Sequence, residues 1–216
     1  SNATCLPMWG IGLDFSRYVD VDSYSMDPGR DADVVNEAIA ALRKAGGGNW
    51  FYYVHAIGPH EPYDPPAPYN TMYQSHLPGE TDEAREHANM LNLYDGEIAF
   101  TDAQFGRLIE ELKRLSLYDE TLLVFLSDHG EEFWEHGGQG HGSSLYDEQI
   151  RIPCIVKLPH SVHAGSQYEG IAEIIDIAPT ILEYLNIAAP ESYQGQSLIR
   201  VRDKTNRSSS RCGTLI

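Results

Sequence analysis

The stretch Thr121-Leu122-Leu123-Val124-Phe125-Leu126-Ser127-Asp128-His129-Gly130-Glu131-Glu132-Phe133-Trp134-Glu135-His136-Gly137-Gly138-Gln139-Gly140-His141-Gly142 decides how this chain is read. Residues 122–126 are a continuous apolar run, too short for a typical helix and rich in strand-favouring side chains, the pattern of a strand covered on both faces. The run ends in Ser127-Asp128-His129-Gly130. A carboxylate and an imidazole placed where a buried strand meets a glycine-rich loop can both reach the crevice beyond the strand's carboxyl end, where open α/β sheets bind ligands. Hard oxygen with imidazole nitrogen suits a divalent metal. The competing reading makes Asp128 a turn cap and His129 a surface residue; the apolar run before the pair and Gly130 after it favour the metal.

Two further runs have the same character. Trp50-Phe51-Tyr52-Tyr53-Val54-His55-Ala56-Ile57 is aromatic and β-branched, bounded by glycine and proline, and is expected to be a buried strand. Residues 154–158 are expected to be a third, parallel strand. Between them, Val34, Val35, Ala38, Ile39 and Leu42 keep helical spacing behind a cap at Asp31 or Asp33, and Gly46-Gly47-Gly48 stops that helix. From about residue 82 to 117, Leu91, Tyr94, Ile98, Phe105, Leu108, Ile109, Leu112 and Leu115 recur in threes and fours, which predicts a long amphipathic helix. A last helix is expected to begin at Pro179, and Gly195-Gln196-Ser197-Leu198-Ile199 to form a short contact segment. Strands alternating with long helices make an α/β fold with a mostly parallel sheet flanked by helices. Three strands make a thin sheet, so further strands lie outside the chain or its edges are covered by something else.

The 216 residues suit one medium domain able to bury a sizeable core. Residues 1–3 are read as an expression scar, residues 4–28 as loop, residues 4–199 as the α/β domain, and the serine-rich residues 200–216 as a mobile tail. Lys and Arg total 15 against 32 Asp and Glu, a formal charge of −17. That field repels phosphate backbones and anionic lipid surfaces, so neither nucleic acid nor membrane is expected as a partner. An anionic substrate needs a metal ion or a local cluster of donors to overcome it. Cys5, Cys154 and Cys212 are too scattered for a disulfide framework or a paired zinc motif, and they leave the compartment undecided.

Several histidines are candidates for chemistry. His60, in Gly58-Pro59-His60-Glu61-Pro62-Tyr63, follows the first expected strand; its imidazole can protonate a leaving oxygen, or it is a satisfied loop histidine. His141, bracketed by Gly140 and Gly142, can contact an anion or act as an acid. His136 is read as a solvated loop residue and His55 as a packed core histidine. Asp102, at helical spacing between Ile98 and Phe105, is expected on the apolar face as a structural acid, with Arg151 one possible partner. Cys5 has no neighbour that would lower its pKa and is read as unreactive.

The motifs Gly58-Pro59-His60-Glu61-Pro62-Tyr63, Tyr94-Asp95-Gly96-Glu97-Ile98, Ser127-Asp128-His129-Gly130-Glu131, Gly140-His141-Gly142-Ser143-Ser144-Leu145-Tyr146-Asp147-Glu148 and Arg151-Ile152-Pro153 occur in one order. With the closing segments near residues 175–182 and 195–198, they make residues 9 to 199 resemble the carboxyl-terminal half of the catalytic domain of sulfatases, in the alkaline phosphatase-like superfamily. The resemblance implies a fold incomplete at the amino terminus and a divalent cation, calcium first, with manganese or zinc as alternatives. It matches Asp128 and His129 to two metal ligands, His60 to a histidine that assists the leaving group, and His141 to a basic position that holds an ester oxygen. Relatives often carry asparagine at the position of His129.

The family's nucleophile lies in a Cys/Ser-x-Pro-x-Arg motif far upstream, as do the paired aspartates that complete its metal site. Here Cys5-Leu6-Pro7-Met8-Trp9 has Trp9 where that motif has arginine. The chain is therefore expected to be an amino-terminally truncated piece with little turnover of its own. The intact parent is expected to hydrolyse a sulfate ester of a small molecule or glycan. Phosphate or phosphonate ester hydrolysis, or phosphoglycerol-type transfer, on the same scaffold is the first alternative. A non-catalytic sulfatase-like domain that binds a partner or glycan is the second.

Overall fold

The computed structural model describes residues 29–45, 48–74, 81–168 and 170–199. The scar at 1–3, the loop over 4–28 with Cys5, the helix stop at Gly46 and Gly47, Cys212 and the tail over 200–216 lie outside the described residues. Two compact units meet between Asp119 and Glu120, and each is described by itself.

The first unit is built on α1 (Arg30–Lys44) and α2 (Asp82–Arg114). Val35, Ile39 and Leu42 of α1 are buried, as are Phe100, Leu108 and Leu112 of α2. Three- and four-residue steps put each set on one helical face. Polar bonds tie the two helices: Arg43 donates to Glu111 at 2.7 and 3.2 Å, Arg107 donates to Asn36 at 2.6 Å, and Arg114 also closes on Glu111. The Arg114 and Arg43 guanidinium groups hold the Glu111 carboxyl well below the usual carboxylate range. Thr81 caps α2, its hydroxyl accepting from Ala84 N at 3.2 Å.

The sequence expectations here need four corrections. Neither Asp31 nor Asp33 caps α1; Gly29 takes that place at φ +85°, and Asp31 turns inward from the first turn. Leu108 and Leu112 of α2 are buried as expected, but ahead of them the buried face runs through Asn92, Gly96, Glu97, Phe100 and Gln104, so Leu91, Ile98 and Asp102 are exposed. Residues 50–57 form no ladder with any described strand. Phe51 and Tyr53 are accordingly 60% and 65% exposed, and His55 is exposed rather than packed in a core.

In the second unit, β1 (Leu123–Leu126) pairs with β4 (Cys154–Lys157) in the register Leu123↔Lys157 to Leu126↔Cys154. The pair is antiparallel, which corrects the expected parallel strand. A parallel return needs a crossover, usually a helix. Here the intervening chain makes only a short hairpin of β2 (Glu132–Phe133) and β3 (Gln139–Gly140), then the single turn α3 (Asp147–Ile150). Among the described residues each sheet has two strands, so every strand is an edge.

The unit closes with α4 (Ile177–Tyr184), preceded by a 3₁₀ turn at Ile174–Asp176. The helix starts two residues ahead of Pro179, which sits in the first turn, where its missing N–H has no helical partner to lose. The Asp176 carboxylate accepts from Glu173 N at 3.0 Å and Gln196 N at 2.7 Å, and Leu198 N donates to the Thr180 hydroxyl at 2.9 Å. The contact segment expected at residues 195–199 is thereby fastened to α4. A Cβ on Gly195 would lie 2.0 Å from Ile175 O. Gly195→Ala is therefore expected to push the segment off Asp176 and destabilise the chain by about 2 kcal/mol, as overpacking does. Urea unfolding of the variant checks this.

Candidate functional site

The chemistry of the second unit gathers just past β1. His129 Nδ1 lies 2.8 Å from Gly130 O. A carbonyl oxygen only accepts, so Nδ1 carries the proton, and the neutral ring offers its lone pair at Nε2. Asp128 Oδ1 accepts from His129 N at 3.0 Å and sits 3.7 Å from His129 Nε2. The Asp128 side chain is 77% exposed. Its carboxylate and the His129 Nε2 lone pair are the donor types a divalent cation takes, and they fit as two members of a ligand set. Among the described residues no group of three or more His, Cys, Asp or Glu could hold a metal by itself.

His141 joins this pair. Its ring stacks on His129 with centroids 3.8 Å apart at 29°, and its Nδ1 donates to Glu131 Oε1 at 3.1 Å. Glu131 is nearly buried and holds the imidazole as an orienting carboxylate does. His136 is exposed, as expected, but not bare: it stacks on Tyr146 at 3.6 Å and 6°, and its Nδ1 bonds Glu148.

Two buried polar residues missed in the sequence shape this loop. Glu132, 2% exposed, accepts from Gly138 N and Gln149 Nε2, both at 2.7 Å, and from His136 N at 3.3 Å. Those donors, Gly138 first, hold its carboxyl below the usual range. Gln149 Oε1 accepts from Ser143 N at 3.3 Å and Ser144 N at 3.2 Å, just beyond His141. A side chain on Gly130 would meet Glu148 O at 2.1 Å, so glycine lets the strand exit pass against α3. Nothing in a polar loop sequence marks Glu132 or Gln149 as buried; the dense glycines around them are the only hint of tight turns.

His60 belongs to the first unit. Its Nδ1 donates to Glu61 O at 2.6 Å and its N to Gly58 O at 2.8 Å, so Nε2 is again the nitrogen that can exchange a proton. The loop is held from behind. Asp31 Oδ1 accepts from Ile57 N at 3.1 Å and Gly58 N at 3.2 Å, and Thr101 Oγ1 donates to Asp31 Oδ2 at 2.5 Å. Asp64 N donates to Glu97 Oε1 at 3.0 Å. Burial, then the nearby Asp31 and Asp64 charges, push the Glu97 carboxyl up to about 7 against the Asp64 N bond that favours its ionised form.

A family model described as Sulfatase matches residues 9–187. The chain belongs to the sulfatase family. It is 29% identical over 204 residues to a protein of Trinickia caryophylli named a multifunctional alkaline phosphatase superfamily protein, covering 75% of this chain and 39% of that one. It is 31% identical over 134 residues to arylsulfatase K of Bos taurus, covering 62% of this chain and 24% of the relative. The chain thus spans less than half the length of the curated relatives it matches. Among solved structures it resembles a phosphonate monoester hydrolase of Agrobacterium radiobacter, with TM-score 0.71 and 26% identity over 82% of this chain and 42% of that one. The sulfatase-family chain therefore has the alkaline phosphatase-like fold expected from its motifs.

Two outcomes follow from this geometry. Gln149→Leu removes the acceptor of two amides and a donor to Glu132, and is expected to cost roughly 2–4 kcal/mol; hydrogen exchange should quicken at residues 138–144. For Glu97, a folded-state pKa of about 7 against the ordinary 4.5 means the folded chain holds its proton more tightly. Its contribution to stability is full below pH 4.5 and falls as pH rises toward 7, by up to about 3 kcal/mol at 1.36 kcal/mol per unit. Because Glu132 and Glu111 act in the opposite sense at lower pH, the readout is the difference in unfolding free energy between wild type and Glu97→Gln, which should narrow as pH falls from about 7 to 4.5 and change little below that.

Proposed function

We propose that the chain is part of a metal-dependent sulfuric ester hydrolase, a sulfatase that removes sulfate from a small molecule or glycan. The observation that carries this reading is the strand-exit cluster, in which His129 presents Nε2 beside the exposed Asp128 with His141 stacked at 3.8 Å. Asp128 and His129 are the chain's ligands for a divalent cation, calcium in the first instance, with manganese or zinc the alternatives for an acid and imidazole pair. When bound, the cation supplies Lewis-acid neutralisation of charge on the ester oxygens.

The remaining roles fall to imidazoles. His141, its Nδ1–H directed to Glu131, presents Nε2 to an ester oxygen and, when protonated, donates a hydrogen bond there. His60, its Nδ1–H directed to Glu61 O, carries at Nε2 the proton for the departing alcohol oxygen. The Cys/Ser-x-Pro-x-Arg nucleophile motif of the resemblance does not occur in the 216 residues, so the chain by itself is expected to turn over little ester.

A second reading, hydrolysis of phosphonate or phosphate monoesters, is favoured by the likeness to the phosphonate monoester hydrolase. Both readings use the same three histidines and Asp128. They separate when the parent protein is offered nitrophenyl sulfate and a nitrophenyl phosphonate monoester side by side: preferential release from the sulfate supports the first, preferential release from the phosphonate the second. In either case, His60→Ala in that parent is expected to lower kcat by 10²–10⁴. For the 216-residue chain, calorimetric titration with calcium should show weak uptake that Asp128→Asn abolishes. Tight stoichiometric binding, or uptake untouched by the substitution, would overturn the assignment of ligands; no hydrolysis of either ester by the parent would leave only a binding domain.

A further inference from the structure

The loop that carries His60 is fastened at both ends to the helices behind it. At its entry, Ile57 N and Gly58 N bond Asp31, which Thr101 also holds; at its exit, Asp64 N bonds Glu97. Glu97 and Thr101 stand one turn apart on α2, so a single helical face serves both fastenings. Backbone contact on either side leaves little slack. A Cβ on Gly58 would lie 2.5 Å from Asp31 Oδ2, and one on Gly96 would lie 2.7 Å from Tyr69 O and 2.8 Å from Pro65 Cγ. Between the fastenings the loop has its own bonds, His60 N to Gly58 O and His60 Nδ1 to Glu61 O.

We propose that Glu97 is a positioning residue for His60: through the Asp64 amide it fixes the far end of the loop 58–64, and that loop presents the imidazole. The proposal rests on the reading of His60 as the proton donor, and it extends that reading to a residue that touches no substrate. Of the two fastenings, the one at Asp31 is closed by three donors, whereas Glu97 faces Asp31 from α1 and Asp64 from the loop. The second fastening has as its acceptor a carboxyl pushed up to about 7, so its bond changes character near neutral pH. A carboxylate accepts from an amide more strongly than a carboxylic acid does. As Glu97 ionises around 7, its bond to Asp64 N tightens while the buried charge costs the fold free energy. A loop that becomes better fastened as the chain becomes less stable is the signature of a positioning role; a residue that merely supports the fold would loosen both together.

Nuclear magnetic resonance on the 216-residue chain tests this without any need for turnover. The Asp64 amide and the His60 ring proton on Cε1 are followed from pH 5 to 9 in the wild type, in Glu97→Gln and in His60→Gln. The Asp64 amide is expected to titrate at about 7 in the wild type and in His60→Gln, and to lose that step in Glu97→Gln. The His60 ring is itself ionisable in this range, so its Cε1 proton is expected to follow a different curve in Glu97→Gln than in the wild type. A step at Asp64 that survives Glu97→Gln, or a His60 ring indifferent to the substitution, overturns the proposal. Should Glu97→Gln not fold, the absence of a step at Asp64 in His60→Gln overturns it alone, because His60 is a loop residue outside the helices and its own titration is removed there. Loss of ester hydrolysis as the function would leave these couplings in place, so the two readings fail separately.

Discussion

A carboxylate taken out of water costs several kcal/mol unless donors close on it, and in this chain that requirement organises the loops. Asp31, Glu132 and Asp176 are all buried and closed by backbone N–H groups, from segments distant in sequence for Asp31 and Asp176 and from its own loop for Glu132. Asp31 fixes the approach to His60, Glu132 the turn before His141, and Asp176 the last contact segment. Glu97 and Glu132 show what the donors decide. Both are buried glutamates, yet burial and two neighbouring carboxylates raise one, while three donors lower the other. Burial raises a carboxyl unless enough donors close on it.

This arrangement explains why the catalytic candidates sit on loops without drifting. Loops usually carry chemistry because a rigid scaffold positions them. Here the scaffold is partly polar. The apolar contacts of α1 and α2 set where the two helices lie, but the backbone bonds to Asp31 and Glu97 decide where the chain between them runs. In the second unit, Gln149 on the single turn α3 does the equivalent task for the residues after His141.

Much of the local structure was legible in the sequence because it follows from periodicity. The long helix, the two strand segments and the strand-exit pair Asp128-His129 all stand where apolar spacing and glycine punctuation put them. What failed was non-local. The direction of β4 depends on the path of the chain between residues 126 and 154, which no single-strand pattern encodes. The phase of α2 was misjudged because glycine and polar residues, Gly96, Glu97 and Gln104, occupy its inner face, and a stripe defined by apolar residues alone cannot find them. An acid at a helix start commonly caps it, but the inward turn of Asp31 depends on the amides of Ile57 and Gly58, well along the chain.

An acidic chain that is to take an anionic ester, as proposed, has to cancel its own field at short range. With 32 acidic against 15 basic residues, the distant field repels such a ligand, but salt screens exposed charges beyond about 8 Å at physiological ionic strength. Short-range contacts therefore decide, and the candidate imidazoles each have one nitrogen tied down. His60 and His129 each give Nδ1–H to a neighbouring carbonyl, and His141 gives it to Glu131. The same bond leaves each ring able to act only through Nε2, and the neighbours then divide the labour. Beside His129 stands the exposed Asp128 carboxylate, so the proposed cation ligands pair one negative charge with one neutral lone pair. His60 sits instead on a loop whose backbone is fastened to Asp31 and Glu97. One tautomer, set by one local bond, thus suits both the ligand proposed in one unit and the acid proposed in the other.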